Sequence, residues 1–184
     1  MPKVIDTTAY LDTVCALLRE GHAHVPVTVA GTSMTPFLDP GDTVFLDLPN
    51  GAVEKGDVIL FRRVGGQYVL HRIVAIGDDG ILTLLGDAQL LPEPVHPTQV
   101  RAVVTQVRRG EKLLGPDSLR WRFFRGPWQR CRRIRPYVNR IRNILQKRCP
   151  HRTCIVGNAV PGVPSAEGGQ DPSVPAAPGH LPYE

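Results

Sequence analysis

A serine hydroxyl becomes a nucleophile only when a base can take its proton and N–H groups wait for the developing oxyanion. Three stretches of this 184-residue chain supply residues of those types. Gly31-Thr32-Ser33-Met34-Thr35-Pro36 sets a serine among small residues, ahead of a turn limited by proline. Tyr68-Val69-Leu70-His71-Arg72-Ile73-Val74 interrupts an apolar run with a polar pair, and His71 titrates in the range useful to a base. Leu84-Leu85-Gly86-Asp87 ends an apolar run on an aspartate that could hold an imidazole, as triad logic requires. Each has a bland counterpart. Ser33 also fits an ordinary strand-end turn, His71 a satisfied core histidine, and Asp87 a turn aspartate.

The elements that must position these residues are short. Residues 7–20 predict an amphipathic helix, with Tyr10, Leu11, Val14, Leu17 and Leu18 at helical spacing, and Gly21 stops it. Strands are predicted at 25–29, 43–48, 58–61, 68–76, 81–85 and 100–107. Pro40-Gly41-Asp42, Gly65-Gly66 and Gly77-Asp78-Asp79-Gly80 supply the turns between them. Closely spaced strands with turn punctuation mean a mainly β, antiparallel sheet system or partial barrel. The expected organisation is an N-terminal helix over 1–24, a β domain over 25–110, a basic helical segment over 111–149 and a disordered tail over 150–184. That tail is rich in Pro, Gly and Ala, with few large apolar residues to offset its ordering entropy.

In order, the stretches resemble the signal peptidase I superfamily, which includes the LexA-type repressors. The order is Gly31-Thr32-Ser33-Met34-Thr35-Pro36, Pro40-Gly41-Asp42, Lys55-Gly56-Asp57-Val58, His71-Arg72-Ile73-Val74 and Gly86-Asp87. The resemblance covers roughly residues 25–107. It implies a LexA/signal-peptidase-like antiparallel β fold and hydrolysis of a peptide bond in a protein or peptide substrate of leader or signal type. It maps Ser33 onto the nucleophile and places His71 where one branch of the superfamily carries a histidine base instead of lysine. Asp87 becomes the third member, and Ser33 with Thr32 the oxyanion hole. No cofactor and no metal is implied. Gly31 stands where many signal peptidases carry a hydroxyl residue. Only 32 residues precede Ser33, too few for a separate helix-turn-helix domain with a cleavable linker. The alternatives are a catalytically inactive homologue that binds peptides or partners, and a LexA-like regulator with nucleic-acid contacts.

Charge is unevenly placed. Residues 118–152 carry twelve Lys/Arg and no Asp/Glu, whereas the rest carries ten against 17, a balance of −7. Trp121, Phe123, Phe124, Trp128, Ile134, Tyr137, Val138, Ile141, Ile144 and Leu145 alternate with those arginines. The expectations for 118–148 are a helix docked on the β domain or peripheral contact with an anionic membrane, with nucleic acid ranked third. Cys149, His151 and Cys154 form no second pair at zinc-finger spacing, so zinc is not expected. The first residues lack the apolar core of a signal peptide, and no run of about 18 apolar residues occurs. The expected setting is cytoplasmic, with reduced thiols, and peripheral at a membrane if the basic segment reaches one.

Overall fold

The computed structural model describes residues 7–131 and, beyond them, positions 134, 135, 137, 138, 140, 141 and 144. The tail expected over 150–184 lies outside the described residues. Residues 1–148 form one compact unit and 149–184 a second. Helix α1, the strands and the helices that follow them all lie in the first unit.

The fold is mainly antiparallel β. After helix α1 (Thr7–Arg19) come β1 (Val25–Thr28), β2 (Thr43–Asp47), β3 (Val58–Arg62), β4 (Tyr68–Ile76), β5 (Leu82–Leu85), β6 (Glu93–Val95), β7 (Val100–Arg109) and β8 (Lys112–Leu114). Two short helices follow, α2 (Leu119–Arg125) and α3 (Pro127–Arg130). The strands form one sheet in the order β1-β2-β7-β3-β4-β5-β6, with β8 added to β7. Strand β6 was not foreseen. Pro92 and Pro94 bracket Glu93 and read as loop, but a proline is tolerated on an edge strand, and β6 is the edge.

Strand alternation sends side chains to two apolar clusters. On β3, Val58 and Leu60 enter the first, while Ile59 and Phe61 enter the second. Leu11, Val14, Cys15 and Leu18 of α1 pack into the first cluster at helical spacing. Tyr10, expected on that face, is exposed. Among the described residues no helix contributes to the second cluster, so the strands themselves enclose it.

The first part of the basic segment, helices α2 and α3, is docked. Ser118 caps α2, its hydroxyl accepting from Trp121 N–H at 3.3 Å. Trp121, Phe124 and Trp128 are buried in the first cluster. The Phe37 ring meets Trp121 edge-on at 5.3 Å and Phe124 at 5.3 Å, and Phe124 lies 5.2 Å from Trp128. Both tryptophans expected to be available to lipid are therefore core residues.

Candidate active site

Ser33 sits in a loop whose neck is closed by two backbone bonds, Val29 N–H to Asp42 O and Gly41 N–H to Val29 O, each 2.8 Å. Met34, Phe37 and Leu38 anchor the loop in the first cluster. The Thr32 carbonyl accepts both the N–H and the hydroxyl of Thr35, at 3.1 and 2.9 Å, which fixes the turn around Ser33. Arginines from later in the chain pin the far side. Arg109 binds the Asp42 carboxylate and donates to Phe37 O at 3.0 Å, and Arg120 donates to the carbonyls of Pro36 and Phe37. Ser33 is half-buried and Thr32 exposed.

The backbone of Ser33 rests on the turn after β5. Ala88 N–H donates to Ser33 O at 2.9 Å. A Cβ on Gly86 would stand 2.6 Å from that oxygen, so only glycine allows this approach.

His71 lies on β4 and is buried. It shares a face with Val69 and Ile73, which belong to the second cluster, and its ring is 6.0 Å from that of Phe61. Its Nδ1 stands 2.9 Å from Glu93 Oε1 on β6. The pair has ion-pair distance without hydrogen-bond alignment, and neither ring nitrogen has a hydrogen-bond partner among the described residues. Arg63 grips Glu93 with two bonds, Nε to Oε2 at 2.9 Å and Nη2 to Oε1 at 2.8 Å. Burial pushes the His71 pKa below 6.5 and the Arg63 charge adds to that, against an upward pull from Glu93 and, more weakly, Asp87. The imidazole is therefore held toward its neutral form, the form a general base needs.

Arg72 points the other way. Its guanidinium lies 4.6 Å over the Phe37 ring, in the first cluster, and donates to Gly56 O at 2.8 Å. It also clasps Asp87, from Nη2 to Oδ2 at 2.7 Å and from Nε to Oδ1 and Oδ2 at 3.1 and 3.2 Å. Both partners are fully buried. Asp87 accepts a further bond from Gln129 Nε2 at 3.0 Å, and its carbonyl accepts from Trp128 Nε1 at 3.3 Å. Asp87, expected to orient His71, thus has its carboxylate on Arg72 and Gln129. Glu93 is the carboxylate that meets the imidazole.

Ser33 and His71 are not hydrogen-bonded to each other. Their link runs through Ala88, Asp87 and Arg72, the neighbour of His71. The Ser33 loop packs on the first cluster, while His71 faces the second.

A family model described as Peptidase S24-like matches residues 2–101, just over half of the 184-residue chain. The chain belongs to the Peptidase S24-like family. Among curated proteins, none matches it. The S24-like match spans Ser33, His71, Asp87 and Glu93 but stops early in β7. It thus leaves out Arg109, Arg120, Trp128 and Gln129, all of which hold the Ser33 loop or the Asp87 turn. Sequence reading missed Glu93 because of its prolines. It missed Gln129 because that residue lies in a run dominated by arginine. Among the described residues no group of three or more His, Cys, Asp or Glu could hold a metal ion, and Cys149, His151 and Cys154 lie outside them. No helix among the described residues is long and apolar enough to cross a membrane.

Proposed function

We propose that this S24-like protein is a serine endopeptidase in which Ser33 is the nucleophile, His71 the general base and Glu93 the group that orients the imidazole. The observation that carries the reading is the buried, neutral-leaning His71 with Nδ1 turned to Glu93. A proton on Nδ1 facing the carboxylate leaves the Nε2 lone pair for a hydroxyl. Ser33 Oγ adds to the scissile carbonyl carbon as its proton passes to Nε2. The imidazolium returns that proton to the leaving amine, and an acyl ester remains on Ser33. Water activated by the same nitrogen then releases the acid and regenerates the serine. The Ser33 N–H and Thr32 serve the oxyanion. Asp87 acts through Arg72, holding β4 and the Ser33 turn in register. The reading requires that Ser33 Oγ reach His71 Nε2 when substrate is bound, as catalytic hydrogen bonds commonly tighten only in the loaded enzyme. The substrate is an extended peptide of leader or signal type, a reading supported by the superfamily resemblance.

A second reading, a non-catalytic S24-like protein that binds peptide through the same residues, is favoured by the lack of a Ser33–His71 hydrogen bond. A fluorophosphonate probe followed by peptide mapping separates the two. Catalysis requires a covalent adduct on Ser33, its loss in Ser33→Ala, and labelling slowed by roughly 10²- to 10⁴-fold in His71→Ala. Glu93→Gln should also slow it, whereas full labelling of Ser33→Ala at the same rate refutes the assignment.

A further inference from the structure

The helical positions after α3 present two different faces. Arg135 turns inward and is fully buried. It donates to Gln129 Oε1 at 2.8 Å and to the carbonyls of Gly86 and Gln89 at 3.4 and 3.3 Å, and it lies 5.7 Å from the Trp128 ring. Val138, three residues on, packs against the first cluster. These contacts fix the rotation of the helix. Ile134, Tyr137, Ile141 and Ile144, spaced by three, four and three residues, share another face. They are 52%, 68%, 57% and 47% exposed. Arg130 and Arg140 are exposed beside them.

We infer that this face is a contact surface for a membrane bearing anionic lipid headgroups, on which the protein lies without a spanning helix. The aromatic residues buried in the core take no part. The surface is the outward Ile/Tyr stripe with arginines at its flanks. Charge selects the occupant: residues 118–148 hold eleven basic and no acidic side chains, and while Arg120, Arg125 and Arg135 are engaged by the β domain, Arg122, Arg130 and Arg140 are exposed. Two copies meeting through the same face would bring those charges together, which disfavours a symmetric dimer. Nucleic-acid phosphates would reward the arginines but leave three isoleucines in water. An anionic bilayer satisfies both features, because the arginines meet headgroups while Ile and Tyr enter the acyl boundary.

The test uses the full chain and a variant carrying Ile141→Ser and Ile144→Ser. Both positions are exposed, so the melting temperature should not change. Sedimentation is measured with vesicles of phosphatidylcholine alone and with about a third phosphatidylserine, at about 0.1 M and 0.5 M salt, where screening lengths differ roughly twofold. The wild-type chain should sediment with the anionic vesicles only, less so at high salt. The double variant should partition about tenfold less, since two large apolar side chains no longer enter the lipid. Sedimentation that ignores lipid charge, or that is unchanged in the double variant, overturns the proposal. So does no sedimentation at all. A concentration-dependent oligomer or a DNA affinity that the double variant abolishes, with vesicle binding untouched, also overturns it.

Discussion

Replacing Asp87 by alanine should destabilise the protein heavily, because it strands a buried arginine. Arg72 would keep the Gly56 carbonyl and the face of Phe37 but lose all three of its bonds to the carboxylate. Gln129 Nε2 would lose one acceptor as well. Removing one partner of a fully buried pair costs about 3–5 kcal/mol, because the remaining charge stays desolvated. At about 2–4 °C per kcal/mol for a unit of this size, the melting temperature should fall by roughly 6–20 °C. Replacing both partners by apolar residues, Arg72→Met with Asp87→Leu, should recover most of that loss. Urea unfolding followed by tryptophan fluorescence measures all three proteins, since both tryptophans are buried and Trp128 bonds to the Asp87 carbonyl. A loss below about 1 kcal/mol for Asp87→Ala would refute the argument, because that is the scale of an exposed ion pair. A double variant no better than the single one would refute it equally.

Gly86→Ala should push the Ser33 carbonyl out of place, at about 1–3 kcal/mol for overpacking against backbone, and Ser33 labelling should fall further than the stability loss alone explains. Because burial lowers the His71 pKa from 6.5, the unfolded chain binds the proton more readily than the folded one, so stability should fall as pH drops below about 6.5; thermal melts of His71→Gln between about pH 5 and pH 7 should show a flatter dependence than wild type. Truncation after Gly115 should abolish folding rather than trim an appendage, since it removes Trp121, Phe124 and Trp128 from the core. Each large aromatic is worth about 3–5 kcal/mol against a total stability of about 5–15 kcal/mol, and loss of far- and near-ultraviolet circular dichroism would report it.

The antiparallel fold was legible because its strands announce themselves locally, through alternation and Gly turns. Ser33, His71 and Asp87 were legible as residue types in a familiar order. Their connections were not. Which carboxylate meets His71 depends on how β6 pairs with β5, and Pro92 and Pro94 hide β6 from any local pattern. The strand alternation that puts Arg72 and His71 on opposite faces is readable, but which cluster lies on each face is a tertiary fact. The aromatic, arginine-rich segment suits lipid and core alike by composition. Only the seat prepared by Phe37, on a loop about ninety residues earlier, decides for Trp121, Phe124 and Trp128.

Strand β7 stands between β2 and β3, pairing antiparallel with both, although β2 and β3 are neighbours in the chain and do not pair with each other. Until Val100–Arg109 is in place, β1-β2 and β3-β4-β5-β6 are two separate ribbons, each with an open apolar edge. Those edges are templates for intermolecular pairing. The closing pairings span about forty residues to β3 and about 56 to 65 to β2, so they are slow to form. During synthesis the ribbons therefore wait for β7, and then for the aromatic helices that cover them. Early truncations, ribosome stalling before residue 130 and fusions that bury the β7 region should all favour aggregation over partial function. The same topology ties the Ser33 loop to late-made chain: its anchors Arg109, at the end of β7, and Arg120, on α2, both follow the loop by about seventy residues or more.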